Sequence, residues 1–519
     1  MDLQGAFDAT CRVLFGSELG KLPDFHDYFN EMVTPYQVKK SSVSGKDVMI
    51  SNSFYPDDAR FVSQEEISSV KFEPLNVNEI KDVDSLLAAV SERRVFCGNK
   101  LFGKNEGAAY VDNAIDCFNV THSHNVRNVK YGAYLSYVRE AENVFGIAPT
   151  PFIRNSIRCC EGFEFNRCFE SYYSSQLSDT YFAVNCIGCQ DCIFAFNLRS
   201  KRHVIGNLEL PKEGYLPLKK KLLSEMADGL RKKKRLFSIA DIAYHGRDRR
   251  KIPEEQIAYD GEVPREVEEA FRSASNIVLG KPRQDVKKYG AWLLERAMKI
   301  KKVKGAFGKP TYKVDLPVLR DLPADRMVAI AEGVEIASKP IEMKEGESPS
   351  LSELLSRVSK VAYFSVEIVD GQNLNCVDTP AVYGGSNVYK LWDTTRSKYS
   401  AYSTGVIQSE HIFGGYLRIL DSQFCVNCYD ITNCKRCFEV DGSYNASDSY
   451  FCHNCENVES CLFCYNAKSL KYAVCNTPVG KEEFLRIKKM VLEKINADLD
   501  SKASTKLCIF AKGNSGKKA

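Results

Sequence analysis

Two series of cysteines, three residues apart, advance through the C-terminal half of this chain in steps of nine. One series is Cys425, Cys434, Ser443, Cys452, Cys461 and Leu470. The other is Cys428, Cys437, Ala446, Cys455, Cys464 and Ala473. The unit is Cys-x2-Cys-x5, with small or apolar residues standing in for Cys. A short strand plus a polar turn fills about nine residues. Two such units would make one coil of a thin parallel β-solenoid whose coils stack at ~4.8 Å. The two recurring positions are expected to turn inward, where the space admits only Cys, Ala, Ser, Val or Leu. The five residues between them are rich in Asn, Asp, Ser and Gly, which suit turns repeated in register.

The N-terminal half keeps the same beat with fewer cysteines. Cys159, Cys168, Leu177, Cys186, Ala195 and Val204 form one series. Upstream, Cys117, Val126, Leu135, Val144 and Ile153 run beside Val120, Val129, Val138 and Ile147. The stretch 148–151, Ala-Pro-Thr-Pro, is expected to shift the register before Cys159. The halves are also copies of one another. Residues 168–207 align with 437–476 at an offset of 269 without a gap: Cys168 with Cys437, Asp179 with Asp448, Cys186 with Cys455, Cys192 with Cys461, Asn197 with Asn466 and Asn207 with Asn476. Weaker likeness continues upstream, between 85–99 and 352–365, between 54–67 and 321–336, and between 14–32 and 278–298.

The expected fold is therefore mainly β with flanking helices (α+β), built from two tandemly duplicated parallel β-solenoids. Each is preceded by a small helix and β-ribbon region and closed by a helix. The expected segments are 1–95 (helix plus ribbon), 96–210 (first solenoid), 211–245 (basic capping helix), 246–358 (degenerate copy of 1–95), 359–478 (cysteine-rich second solenoid), 479–505 (capping helix) and 506–519 (basic polar tail). Helical spacing of Phe484, Ile487, Met490, Val491 and Ile495 supports the last helix. Such a helix could cover an otherwise open sheet edge.

Twenty cysteines are many for a chain whose N-terminus lacks a basic, signal-like region. Three chemistries fit the pattern. The first is a reduced packing ladder, since free Cys behaves as a small buried hydrophobe. The second is zinc, because Cys-x2-Cys-x5-Cys-x2-Cys supplies four thiolates. The zinc candidates are Cys452, Cys455, Cys461 and Cys464, then Cys425, Cys428, Cys434 and Cys437. The third is stacked disulfides. Swaps to apolar residues in the same register favour packing: Phe165 stands where the second half has Cys434, and Ala195 where it has Cys464. No cofactor is otherwise implied.

The net charge of +4 does not by itself point to nucleic acid, but the cations are clustered. Lys219, Lys220 and Lys221 lead to Arg231, Lys232, Lys233, Lys234 and Arg235, and a further run covers 299–309. Solvated helix faces are the plain reading. An anionic partner such as RNA or DNA is the functional one. Catalytic signatures are weak. The seven histidines are His26, His122, His124, His203, His245, His411 and His453. His122 and His124 read as a solvated loop pair, and His453 as pointing outward. Carboxylates at Asp116, Glu140, Asp430, Asp441 and Asp448 could serve glycoside hydrolysis only if two of them converged. Asp179 and Asp448 read as turn formers.

The runs at 192–222 and 461–491 resemble the closing repeat of a family of uncharacterised cysteine-rich nonapeptide-repeat proteins, known from uncultivated bacteria and archaea and from large phages. Residues 41–63 resemble the ribbon that precedes those repeats, although Ser41–Ser44 lacks the family's cysteine. The resemblance implies the solenoid fold and carries no catalytic residue. Together these features lead to the expectation of a non-enzymatic structural or assembly protein in the cytoplasm, with itself or other proteins as partners and no membrane span. A nucleic-acid or ribonucleoprotein binder and a carbohydrate-active enzyme are the alternatives.

Overall fold

Along the two long runs of parallel strands, twelve residues, not eighteen, separate a strand residue from its neighbour. In the first half Ala109 pairs with Thr121, Arg127 with Arg139, Ile147 with Cys159 and Gln190 with Arg202. In the second half Leu374 pairs with Ser386, Ile431 with Ser443, Phe438 with Tyr450 and Glu459 with Lys471. We call each twelve-residue stretch a rung and each run of rungs a ladder. The computed structural model describes every residue except 53, 74, 250–253, 260, 405, 408–411, 416–422, 424, 425, 427, 429, 430, 433, 434 and 511–519. The chain is a mixed α and β protein with several sheets.

A finer period of three underlies the rung. Left-handed backbone recurs at Asn113, Asp116, Asn119, His122, Asn125 and Asn128, and again at Asp448, Phe451, Asn454, Asn457 and Ser460. The residue after each such bend turns into the core: Ala114, Cys117, Val120, Ser123, Val126 and Val129 in one ladder, Ser449, Cys452, Cys455, Val458 and Cys461 in the other. Left-handed backbone is costly for residues other than Gly, and least so for Asn and Asp, which accounts for their abundance at these bends. The anticipated register shift at 148–151 does not occur. Val138 pairs with Thr150 and Ile147 with Cys159, so the inward positions continue in threes to Leu198.

The choice of inward residues follows from the backbone. Several inward amides bond to the inward side chain one rung earlier. Leu135 N donates to Ser123 Oγ, Cys168 N to Ser156 Oγ, Cys186 N to Ser174 Oγ and Cys455 N to Ser443 Oγ, at 2.9–3.0 Å. A buried amide needs an acceptor, and a hydroxyl at this spot provides one within the width of the core. Thiols work in the other direction. Cys186 Sγ donates to Ala195 O at 3.4 Å, Cys455 Sγ to Cys464 O at 3.4 Å and Cys461 Sγ to Leu470 O at 3.6 Å, in each case nine residues on. The beat of nine is thus a diagonal step across the core, and the stacking step is twelve. Ser443→Ala is expected to lower stability by about 1–3 kcal/mol through the orphaned Cys455 amide. Denaturant titration checks this, and unchanged stability would refute the role given to the hydroxyl.

Both ladders end alike. The last strand folds back antiparallel, Val204 to Glu209 and Ala473 to Pro478, and then enters a 22-residue helix, Lys212–Lys233 or Lys481–Lys502. The helices that begin the halves, Leu3–Phe15 and Arg265–Leu279, both stop at a left-handed glycine, Gly16 or Gly280.

The chain divides into two compact units that do not follow the order of the sequence. One contains Met1–Thr34, Phe102–Tyr259 and Lys299–Ile368; the other contains Pro35–Leu101, Asp260–Met298 and Val369–Ala519. Each ladder therefore sits with the starting helix of its own half and with the ribbon region of the opposite half. The consecutive segments anticipated from the sequence are regrouped in this way because packing, not chain proximity, selects which ribbon covers which ladder.

Candidate functional site

Of the eight zinc candidates, Cys428, Cys437, Cys452, Cys455, Cys461 and Cys464 are fully buried inward residues; Cys425 and Cys434 lie outside the described residues. Among the described residues no group of three or more His, Cys, Asp or Glu is arranged to hold a metal ion. The sulfurs are instead tied to backbone carbonyls: Cys437 to Lys435 O and Ala446 O, Cys452 to Tyr450 O and Cys461 O. Burial pushes the thiols of Cys168 up to about 12 and of Cys117 up to about 11. It also raises Cys186 and Cys452, whereas Cys192 and Cys461 are raised chiefly by donating to Cys189 and Cys464. The thiols that accept these bonds, Cys189 and Cys464, are held below the ordinary value by them, whereas the raised, enclosed thiols stay protonated and lack the nucleophilic thiolate form.

The basic cluster is largely occupied within its own unit. Lys219 pairs with Asp191 at 2.7 Å, Lys234 with Asp24 at 3.2 Å and Arg235 with Glu31 at 3.5 Å. Arg231 bonds Asp228 and Ser17, and Lys221 donates to Ser348 O. Lys220, Lys232 and Lys233 are exposed and have no ion-pair partner among the described residues. In the second basic run, Lys301 and Lys304 pair with Glu254 and Glu255. The first run lies on and just after helix Lys212–Lys233, and the second lies not on a helix but on strand Ile300–Lys304; both use several of their cations to fasten neighbouring segments.

Three side chains lie where the sequence did not place them. His453 is fully buried, not outward: its Nδ1 is 2.8 Å from Asp441 Oδ2, and its Nε2 accepts the Cys97 amide at 2.9 Å. An amide can only donate, so the ring proton sits on Nδ1, facing the carboxylate. Burial acts to raise Asp441, but the His453 bond, with Lys100 and Tyr55, holds its carboxyl below the usual range. His124 is likewise enclosed, bonded through Nε2 to Thr34. His122 is half-buried in a stack with Tyr110 and Tyr134, at centroid separations of 5.1 and 5.0 Å. Burial, aided by nearby His26, lowers its pKa. Such rings recur because residues twelve apart stack.

The same spacing builds ion pairs. Arg167 meets Asp179 and Arg436 meets Asp448, each twelve residues on, so both conserve a bend and a tie. Arg158 and Glu170, also twelve apart, are both fully buried. Twelve-residue spacing of opposite charges was the signal in the sequence that marks these pairs. Glu439, the counterpart of Glu170 at the offset of 269, accepts the Ile509 amide at 2.7 Å. Burial pushes its carboxyl up to about 8, against the pull of Arg296.

That shift gives a pH dependence. The unfolded chain releases this proton near the ordinary value of 4.5 and the folded chain near 8. Its stabilising contribution is therefore complete below the lower value and is lost as pH rises through the upper one, by up to about 1.4 kcal/mol per pH unit. Glu439→Gln is expected to flatten stability between these limits in denaturant titrations at successive pH values. An unaltered slope would contradict the assignment.

Asp116 and Glu140 are bend residues two rungs apart that line one groove with Asn128, Lys130, Glu142 and Arg154; Asp448 is a bend residue tied to Arg436, and Asp430 lies outside the described residues. A cavity of about 560 Å³ in the unit of the second ladder is lined by Leu87, Val90, Phe463, Tyr465, Lys502 and Lys506, among others. Its Arg94 and Lys494 are paired with Asp58 and Asp498. Among the described residues no helix is long and apolar enough to cross a membrane. Comparison with family models, with curated proteins and with solved structures gives no match.

Proposed function

We propose that each ladder is a four-sided parallel β-solenoid, four three-residue sides to a coil, and that the chain is a non-enzymatic structural or assembly scaffold made from two of them. One observation carries this reading: the groups that could do chemistry are spent on the fold. Hydroxyls of the core bond the backbone amide twelve residues on, and thiols bond the carbonyl nine residues on. Two buried acid–base pairs, Arg158–Glu170 and Asp441–His453, are closed on themselves. Stacked coils with regular bends offer long rigid faces suited to repeated protein contacts. The partners in this reading are copies of the chain or other proteins of a larger particle.

Light scattering after size exclusion, over a range of concentrations and in native extract, tests the proposal. Discrete assemblies larger than one chain are the expected result. A strictly monomeric, partnerless protein would count against it. Binding to nucleic acid is the competing reading, resting on Lys220, Lys232 and Lys233. Salt-sensitive retention of RNA or DNA in filter binding, abolished by reversing these three charges, would favour it instead.

A further inference from the structure

The contacts that hold a ribbon region to a ladder occur twice, and both sets join opposite halves of the sequence. In one unit Asn197 Nδ2 donates to Tyr363 O at 2.9 Å. In the other, Asn466 Nδ2 donates to Val95 O at 2.8 Å. Asn466 is 269 residues beyond Asn197, and Val95 lies 268 before Tyr363. The aromatic neighbours repeat the arrangement. Phe196 meets Phe364 edge-on at 5.4 Å, and Tyr465 meets Phe96 edge-on at 5.7 Å. So do the closing helices. Glu225 of the first accepts the Leu351 amide at 2.7 Å, at the start of helix Leu351–Val361. Arg486 of the second donates to Ile80 O at 2.9 Å, just ahead of helix Val83–Arg93.

The starting helices behave differently. Tyr181 Oη donates to Leu14 O at 2.7 Å and Tyr450 Oη to Val278 O at 2.9 Å, so each helix stays with the ladder of its own half. Only the ribbon–helix segments are exchanged, and they are exchanged reciprocally. Exchange of one identical element between two identical subunits is a low-cost route to a symmetric pair. In this duplicated chain the two subunits are the two halves.

We propose that the face of each ladder bearing Asn197 or Asn466 is a docking surface for a ribbon–helix segment supplied in trans. The two halves are held together by this exchange and not by the peptide link between them. The partner that fits either face is a second copy of this chain, which presents the same segments. This deepens the scaffold reading by naming its partner.

The test begins with the full chain, carrying a site-specific protease sequence inserted between His245 and Gly246, both exposed. The protein is folded first, and its melting temperature compared with the parent's. After cutting, fragments 1–245 and 246–519 are expected to elute together with the mass of the uncut chain and to part only in denaturant. Fragments that separate under native conditions overturn the proposal. If the insertion impairs folding, brief trypsin treatment of the parent at residues 247–251, Arg-Asp-Arg-Arg-Lys, supplies the same readout. In a second arm the cut protein is unfolded and refolded with an affinity-tagged, uncut chain. Retention of both fragments on the tag is expected; retention of neither overturns exchange with a second copy. Inseparable fragments from an uncut chain that is strictly monomeric in the light-scattering experiment would keep the exchange and remove the scaffold reading.

Discussion

Arg158→Ala is expected to destabilise the unit of the first ladder by about 3–5 kcal/mol, the cost of removing one partner from a buried ion pair. Arg158 is fully enclosed. Its Nε donates to Glu170, its Nη1 to Tyr28 O and, at 3.1 Å, to Glu31, and its guanidinium lies 3.9 Å over the Tyr28 ring. Glu170 has no solvent to fall back on. Burial raises its pKa, and Arg158 is the largest opposing influence, with Tyr172 Oη donating at 2.6 Å. Without the guanidinium the carboxyl must take a proton, and the loss of stability grows as pH rises. Arg158→Met combined with Glu170→Gln should recover most of the loss, since neither change then leaves a charge uncompensated. A double-mutant cycle in chemical denaturation measures the coupling. Additive single-mutant effects would show that the pair does not act as described. The pair also ties the bend at Arg158 to the segment around Tyr28, so the loss should be accompanied by faster hydrogen exchange in the short helix His26–Asn30.

His453→Leu should cost a similar amount, about 3–5 kcal/mol, in the other unit. The imidazole joins two elements: Asp441 one rung before it, and strand Phe96–Gly98 of the exchanged ribbon, through the Cys97 amide and the edge of the Phe96 ring at 5.2 Å. Leucine fills comparable space but returns neither hydrogen bond. The Asp441 carboxylate loses the neighbour that most favours its charge, although Tyr55 Oη still lies 3.3 Å away. Because the lost bonds fasten the ribbon, native-state proteolysis should begin between residues 35 and 101 rather than within the ladder. Cleavage that instead starts in the ladder, or a loss below about 1 kcal/mol as for an ordinary exposed hydrogen bond, would contradict this role for His453.

Much of this arrangement could be read from residue identities. The inward positions were legible because packing limits them to small side chains, and the list from Cys425 to Ala473 shows that limit directly. The length of the rung was not. Cysteines mark a step of nine because a thiol bonds a carbonyl nine residues on, so the most conspicuous residues report the diagonal. The stacking step is written in less conspicuous ones: Arg167 and Asp179, Asn445 and Asn457, Phe451 and Phe463. The buried histidines were misplaced for a related reason. A strand alternation puts the neighbour of an inward residue outside, but bends every three residues leave positions such as His124 and His453 beneath another element. Which ribbon covers which ladder was not legible from the chain order, because two near-copies of a ribbon offer nearly the same contacts to two near-copies of a ladder.

Disulfide trapping across a single pair of neighbouring rungs tests the twelve-residue return most directly. Asn445 and Asn457 are exposed, and Asn445 Nδ2 donates to Asn457 Oδ1 at 2.7 Å. Adjacent parallel strands stand about 4.8 Å apart, within the range a disulfide spans. Asn445→Cys with Asn457→Cys should therefore close on mild oxidation, and peptide mass mapping should find these two sulfurs joined with the fold intact. A return every eighteen residues would carry position 457 to Cys475 instead, and a bond between those two, with none to 445, would contradict the account.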